Sequence, residues 1–310
     1  MPAAPIDILL ATFNGGIWLP ALLASLEQQT CQDWRLLVRD DGSHDGTLEL
    51  LQTWQQRLGD RMTLVAGAKP LLPGPMGNFA RLLEAATAPY VMFCDQDDVW
   101  LPTKVARSLD TMRASEARHG TTSPILIFSD LRVVDAELRP LAESFWQSQF
   151  LRPTQVTYRR LLVQNVVTGC TLMANRSLVT RASPIPAEAF MHDWWFALVA
   201  AAFGRLEPIR EPLILYRQHS NNAVGAQCFK VFPLVQRILR GEVRSYLRET
   251  GRQAAAMHRQ FGAGLGALRA PTEALADLDR QGWLTRKWRM VAHRLFIFGW
   301  FRNLAWLLVS

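Results

Sequence analysis

Four times in the first hundred residues a short apolar run ends in a polar turn and gives way to residues at helical spacing. No other feature limits the fold as tightly. The runs are Ile6 to Thr12, Trp34 to Val38, Met62 to Ala66 and Tyr90 to Cys94. Leu19, Leu22, Leu23 and Leu26 mark one face of a helix expected from Trp18 to Gln28. A second helix is expected from Thr47 to about Arg57 with Asp45 as its N-cap, and a third from Asn78 to Ala86 after a loop rich in Pro and Gly. Uninterrupted apolar strands alternating with helices predict an α/β fold, a mostly parallel central sheet with helices on both faces. Ligands of such sheets sit at the carboxyl ends of the strands. Thr12-Phe13-Asn14, Asp40-Asp41-Gly42-Ser43 and Asp95-Gln96-Asp97-Asp98 all lie at such ends. Three turns therefore converge on one crevice. Neither GxGxxG nor the Walker A pattern is present, so the dinucleotide and P-loop fingerprints are unsupported.

The strand Tyr90 to Cys94 delivers Asp95, Asp97 and Asp98 together, and like charges so close need a cation or solvent to screen them. Hard divalent ions bind carboxylate oxygens and keep positions open for phosphate. A metal site serving a phosphorylated ligand is one reading. A solvated acidic turn, with Asp98 helping to cap a helix opening near Pro102, is the other.

After a helix from Pro102 to about Arg118, Ile125 to Ser129 and Arg132 to Val134 read as two strands separated by Asp130. Val166 to Met173 reads as a strand in which Gly169 permits close approach of a ligand or backbone. Met191 to Ala200 is a helix with His192 and Asp193 in its first turn. The helix dipole stabilises Asp193 as the anion, which suits a general base, and an ordinary N-cap explains the same residue. Pro212 to Tyr216 is a last strand. His219 in the polar loop behind it is incidental or reaches a metal or a diphosphate.

Net charge is +7, yet residues 230–310 hold 14 Lys and Arg against 5 Asp and Glu, and the rest of the chain nets −2. That asymmetry points to a tail meeting an anionic surface and away from a nucleic-acid binder. Arg240, Arg244, Arg248 and Arg252 recur along one helical face. Trp283 to Val309 mixes Trp, Arg and Lys with apolar residues, interrupted by Arg302, and falls short of the roughly 20 apolar residues a span needs. It suits a helix lying in the headgroup region, or one packed on the domain or on a second copy. Four scattered cysteines without a CxxC pair suggest a reducing compartment. Pro2 leads almost directly into a strand, so no signal peptide is expected.

Together these residues resemble the family 2 glycosyltransferases, inverting enzymes of the GT-A fold, over about residues 5–225. The pieces that carry the likeness are Thr12-Phe13-Asn14, Asp40-Asp41-Gly42-Ser43 with Asp45, Asp95-Gln96-Asp97-Asp98 with Pro102, Gly169, His192-Asp193 and His219. The resemblance implies a catalytic domain over 1–228, and the basic and aromatic residues of 229–310 point to a helical, membrane-associating region. It implies a nucleotide-sugar donor held by Thr12, Phe13, Asn14, Asp41, Asn78, Asp95 and Gly169. Asp97, Asp98 and His219 would hold Mg2+ or Mn2+, and Asp193 would be the base. Gly77-Asn78-Phe79 and His192-Asp193-Trp194-Trp195 are similar to bacterial rhamnosyltransferases of surface polysaccharides. That likeness implies dTDP-rhamnose as donor and a glycan or polyprenyl-linked acceptor, with the protein at the cytoplasmic face of the inner membrane or in the cytoplasm. A UDP-sugar donor and an oligomer are compatible with it. The rival classes are a sugar nucleotidyltransferase, for which Phe13-Asn14-Gly15-Gly16 lacks a phosphate-binding cation, and an inert membrane-bound scaffold.

Overall fold

The structure, a computed structural model, describes residues 5–67, 74–219 and 242–299, with 302, 303, 306 and 307 beyond. Strands β1 (Ile6–Thr12), β2 (Trp34–Asp40), β3 (Met62–Leu64) and β4 (Tyr90–Asp95) lie parallel in the order β3-β2-β1-β4. They are connected through helices α1 (Leu19–Glu27), α2 (Thr47–Leu58) and α3 (Gly74–Ala85). Past β4 the sheet continues through β8 (Met173–Asn175), β6 (Ile125–Val134), β9 (Arg205–Arg217) and β5 (Val99–Trp100), while β7 (Pro140–Ala142) pairs with β6. The short β8 is antiparallel to both β4 and β6, whereas β6 and β9 are parallel.

Side chains alternate across this sheet, as a period of two requires. In β4, Val91 and Phe93 join one core and Met92 and Cys94 the other. The second core is covered by α1, α2 and α4 (Lys104–His119). The first is covered by α3, α6 (Tyr158–Leu161), α7 (Arg176–Ala182) and α8 (His192–Phe203). A short helix, α5 (Phe145–Ser148), is capped by the Ser144 hydroxyl, which accepts the Gln147 N–H. Three C-terminal helices follow: α9 (Glu242–Phe261), α10 (Arg269–Ala276) and α11 (Trp283–Ala292). Helix α9 lays Leu247, Ala254 and Met257 on the first core, and its Tyr246 ring lies 5.9 Å from that of Trp194. Arg248 and Arg252 face solvent. Arg240, the side chain of Arg244, Cys228 and the expected boundary at 228 fall outside the described residues.

Several expectations are corrected. Residues 125–134 form one strand and not two, because a register shift against β9 absorbs the bend at Asp130. The final strand begins at Arg205 rather than Pro212; Pro208 pairs in register with Phe128, and the irregular pairing accommodates Pro212 opposite Asp130. The expected strand over 166–173 is a 3-10 turn at Gly169–Thr171 followed by the three residues of β8. Local side-chain bonds compete with strand pairing there: Asn165 accepts the Val167 N–H at 3.0 Å and Thr171 Oγ1 donates to the Thr168 carbonyl at 2.7 Å. Gly46, at φ 84°, holds the N-cap position of α2 in place of Asp45. Asp45 still accepts the Thr47 N–H at 3.2 Å and also reaches back to the Gly16 N–H at 3.1 Å.

His192 is held where β4, α3 and α8 meet, its ring 4.3 Å from Phe79 and 4.8 Å from Phe93. Among the described residues neither ring nitrogen has a hydrogen-bond partner. Burial therefore pushes its pKa down to about 3. The native state resists a proton that the unfolded chain takes up near pH 6.5, so stability is complete above that pH and is lost as pH falls toward 3. At pH 5 the loss is about 2 kcal/mol. His192→Phe is expected to shrink the drop in thermal midpoint between pH 7 and pH 5. An unchanged drop would mean that the imidazole is not buried in its neutral form.

Candidate active site

The carboxyl ends of β1, β2 and β4 are knitted together by their own polar side chains. Asp40 organises the second turn. Its Oδ1 accepts the N–H groups of Gly42 at 3.0 Å and Ser43 at 2.7 Å, and its Oδ2 accepts Thr12 Oγ1 at 2.8 Å. Ser43 Oγ in turn accepts the Asn14 N–H at 2.8 Å, and Asn14 Oδ1 accepts the His44 N–H at 2.9 Å. Gln96 closes the third side, exchanging two hydrogen bonds with the backbone of Phe13 at 2.9 and 3.0 Å. A Cβ on Gly15 would lie 2.3 Å from Gln96 Oε1, so a side chain there would push the Gln96 amide off the Phe13 backbone.

This network sorts the expected donor contacts. Phe13 is 53% exposed and Asp41 half-buried, and both stand at the open strand ends. Thr12 is buried and, with Asn14, shapes the turn. Asn78 is also buried, its Oδ1 accepting Arg39 Nε at 3.1 Å, so its amide oxygen supports Arg39. Gly169 makes room for the His192 ring. A Cβ there would come within 2.9 Å of His192 Nε2, and its N–H helps hold the Asp193 carboxylate.

The acidic turn splits into two sets. Asp97 Oδ2 lies 2.9 Å from His219 Nε2, and the His219 ring stacks on Trp18 at 4.7 Å and 17°. Arg217 covers the Trp18 ring at 4.8 Å, donates Nε to the Asp97 carbonyl at 2.9 Å and its N–H to Asp98 Oδ1 at 3.2 Å. Asp98, expected beside Asp97 as a ligand, is instead fully buried. It groups with Asp95 and Cys170, one ligand atom of each lying within 4.8 Å of the others. Burial first, then Asp97 and Asp95, drives its pKa well above the ordinary carboxylate range. Burial likewise pushes the Cys170 thiol up, which keeps it protonated and a poor partner for a hard ion. Beneath the turn the buried Lys104 ammonium sits 4.2 Å above the Trp100 ring, its pKa lowered by burial to about 8.

Asp193 faces Asp95 from the first turn of α8. Burial, and then Asp97 and Asp193, raise the Asp95 pKa, which brings the three carboxylates into one electrostatic neighbourhood. Burial raises Asp193 itself to about 6, opposed by hydrogen bonds from the N–H groups of Trp194 and Gly169 and from Asn165. The Trp194 N–H donates to Oδ1 at 2.6 Å and Asn165 Nδ2 to Oδ2 at 3.3 Å. The loop carrying Asn165 is itself tied down: Trp194 Nε1 donates to Leu161 O, Tyr246 Oη to Val163 O, and the Phe298 N–H to Gln164 Oε1. Sequence reasoning missed Asn165, Trp18, Gln96 and Arg217. Gln96 stood inside the acidic motif and Arg217 directly behind the last strand, but only the pairing of β9 with β5 and β6 shows that Arg217 returns to the acidic turn.

Comparison with known proteins gives this geometry a family. The family described as "Glycosyl transferase family 2" matches residues 7–179. The "dTDP-rhamnosyl transferase RfbG" of Shigella flexneri is 26% identical over 224 residues, 70% of this chain and 74% of that protein. The "UDP-Glc:alpha-D-GlcNAc-diphosphoundecaprenol beta-1,3-glucosyltransferase WfgD" of Escherichia coli is 24% identical over 176 residues, 56% of this chain and 61% of its own length. Among solved structures, S. aureus TarS 1-349 in complex with UDP-GlcNAc superposes with a TM-score of 0.54 at 15% identity, covering 94% of this chain and 86% of that one. The mannosyltransferase PcManGT from Pyrobaculum calidifontis in complex with GDP-Man and Mn2+ superposes with a TM-score of 0.55 at 15% identity, covering 98% and 85%. The chain belongs to glycosyl transferase family 2 and is a glycosyltransferase of the GT-A fold.

Proposed function

We propose that the chain transfers a sugar from a nucleoside diphosphate to an acceptor hydroxyl with inversion at the anomeric carbon. The observation that carries this reading is the setting of Asp193. Its carboxylate is fixed by Trp194 and Asn165, is ionised at neutral pH, and lies across from Asp95. A carboxylate so placed accepts the acceptor proton as the oxygen attacks, while the strand-end turns hold donor and acceptor in line. Asp41 and Phe13, open at those ends, would face the nucleoside. The oxygen and imidazole donors of Asp97, Asp95 and His219 suit Mg2+ or Mn2+, which when bound would neutralise charge on the departing diphosphate.

The Shigella relative favours dTDP-rhamnose as the donor, and the E. coli relative favours a UDP-sugar. Thermal stabilisation by dTDP against UDP, each with Mn2+, separates them. The acceptor in this reading is a glycan or polyprenyl-linked saccharide of surface polysaccharide assembly, met at the cytoplasmic face of the inner membrane. Among the described residues no helix is long and apolar enough to cross a membrane. Release of free nucleoside diphosphate supports glycosyl transfer, whereas pyrophosphate would indicate the nucleotidyltransferase. Absence of donor turnover would indicate the scaffold.

Asp193→Asn is expected to leave donor affinity within about threefold and to lower kcat by about 10²–10⁴-fold. A near-normal rate would remove the base assignment. Asp97→Asn is expected to abolish the donor stabilisation that depends on Mn2+, and a donor shift still requiring the ion would contradict that. Because the base must be unprotonated, kcat should fall with unit slope as pH drops below about 6. Asn165 favours the ionised form, so Asn165→Leu should move that limb to higher pH. A limb that stays put would show that Asn165 does not tune the base.

A further inference from the structure

Helix α11 is built inside out. Trp283, Lys287 and Val291 follow at steps of four and Leu284 and Trp288 lie in the adjoining row, so the five share one stripe. That stripe faces away from the protein. Trp283 is 56% exposed, Leu284 75%, Trp288 67% and Val291 53%. On the opposite side Met290 is fully buried, and half-buried Arg286 and Arg289 flank it. A helix that needed only to cap the core would turn its tryptophans inward and its arginines out. Four large apolar side chains together on one exposed stripe mark a surface that something covers.

Charge identifies the cover. From Arg280 to the end the sequence holds Arg286, Lys287, Arg289, Arg294 and Arg302 and no Asp or Glu. A two-fold contact between copies through this stripe would set Lys287, which lies in it, and exposed Arg294 just beyond the helix against their own copies. Apolar side chains rimmed by Lys and Arg match the headgroup region of an anionic bilayer, where Trp lies at the interface and the cations meet lipid phosphates. We propose that the outward stripe of α11 docks the protein on an anionic phospholipid surface.

The stripe is also coupled to the catalytic base. The chain leaving α11 buries Leu295 and Phe298, and Arg160 stacks on the Phe298 ring at 3.9 Å. The Phe298 N–H donates to Gln164 Oε1 at 2.7 Å, and the neighbouring Asn165 donates to Asp193. Docking through α11 therefore fixes the base relative to the bilayer, as attack by a lipid-linked acceptor would require. This consequence rests on the catalytic reading above, whereas the docking itself does not.

The full chain and the double variant Leu284→Glu, Trp288→Glu would be floated with vesicles of phosphatidylglycerol and phosphatidylethanolamine, and with phosphatidylcholine alone. Thermal midpoint, donor-induced stabilisation and sedimentation in solution would be followed in parallel. The parent is expected to float with the anionic vesicles, at least about tenfold less with phosphatidylcholine or in high salt, and the variant at least about tenfold less on all of them. Midpoint and donor stabilisation should be unchanged in the variant. Equal flotation of parent and variant, absence of flotation by the parent, or a parent dimer that the same pair of changes dissolves would each overturn the docking assignment. Loss of donor stabilisation in the parent with flotation intact would instead count against the catalytic reading alone.

Discussion

Like negative charge is gathered at one edge of a sheet, and the rest of the architecture makes that tolerable. Oxygens of Asp95 and Asp98 share a cluster within 4.8 Å. Two full charges at that distance repel by about 3–4 kcal/mol at an effective dielectric of 20. That is a large part of the stability of an ordinary domain, so the carboxylates cannot all be ionised and unaccompanied. The structure answers in three ways. Asp98 is driven toward its neutral form, its Oδ1 meeting the Arg217 N–H. Lys104 and Arg217 place positive charge below and beside the turn. Asp97 meets His219, and Asp193 sits at a helix N-terminus. The remaining imbalance centres on Asp95 and Asp97, where a divalent ion and a diphosphate would cancel each other.

Holding reactants against such a field requires rigid loops, and their rigidity comes from side chains that do no chemistry. Asp40 gathers hydrogen bonds from Thr12, Gly42 and Ser43, and Gln96 locks the first turn to the third. The β1, β2 and β4 ends are thereby tied into one hydrogen-bonded network. Around Asp193 the same task falls to the 161–165 loop, which is bonded to α8, to α9 and to the segment after α11. The C-terminal helices thus support Asp193 as well as cover the core. That explains why a segment so apolar is folded back on the catalytic half while α11 leaves its tryptophans exposed.

The strand–helix alternation through β4 was legible, because buried parallel strands are continuous apolar runs that end in turn residues. The third helix nonetheless begins at Gly74 rather than Asn78, and the two-residue β5 left no such run. The acidic turn and Asp193 were legible as residue types. Their division of labour was not, since burial separates Asp98 from Asp97 and burial is a tertiary property. Asn78 and Gly169 illustrate the same limit. Each has a structural task that no local signal announced, one holding Arg39 and the other admitting the His192 ring. Strands β6 and β9 were misjudged because Asp130, Pro208 and Pro212 are strand breakers; register shifts absorbed Asp130 and Pro212, and Pro208 pairs in register with Phe128. Asn165 left no periodic or motif signal. Its importance arises only when α8 returns to it.

The account depends on Asp97 and His219 forming a cation site that shares its nucleotide with the turn at Asp41. Electron paramagnetic resonance of Mn2+ titrated into the full chain with a nucleoside diphosphate tests this most directly. One tightly held ion per chain is expected, showing nitrogen hyperfine coupling that disappears in His219→Leu. A bound ion without nitrogen coupling, or ion binding indifferent to the nucleotide, would contradict it.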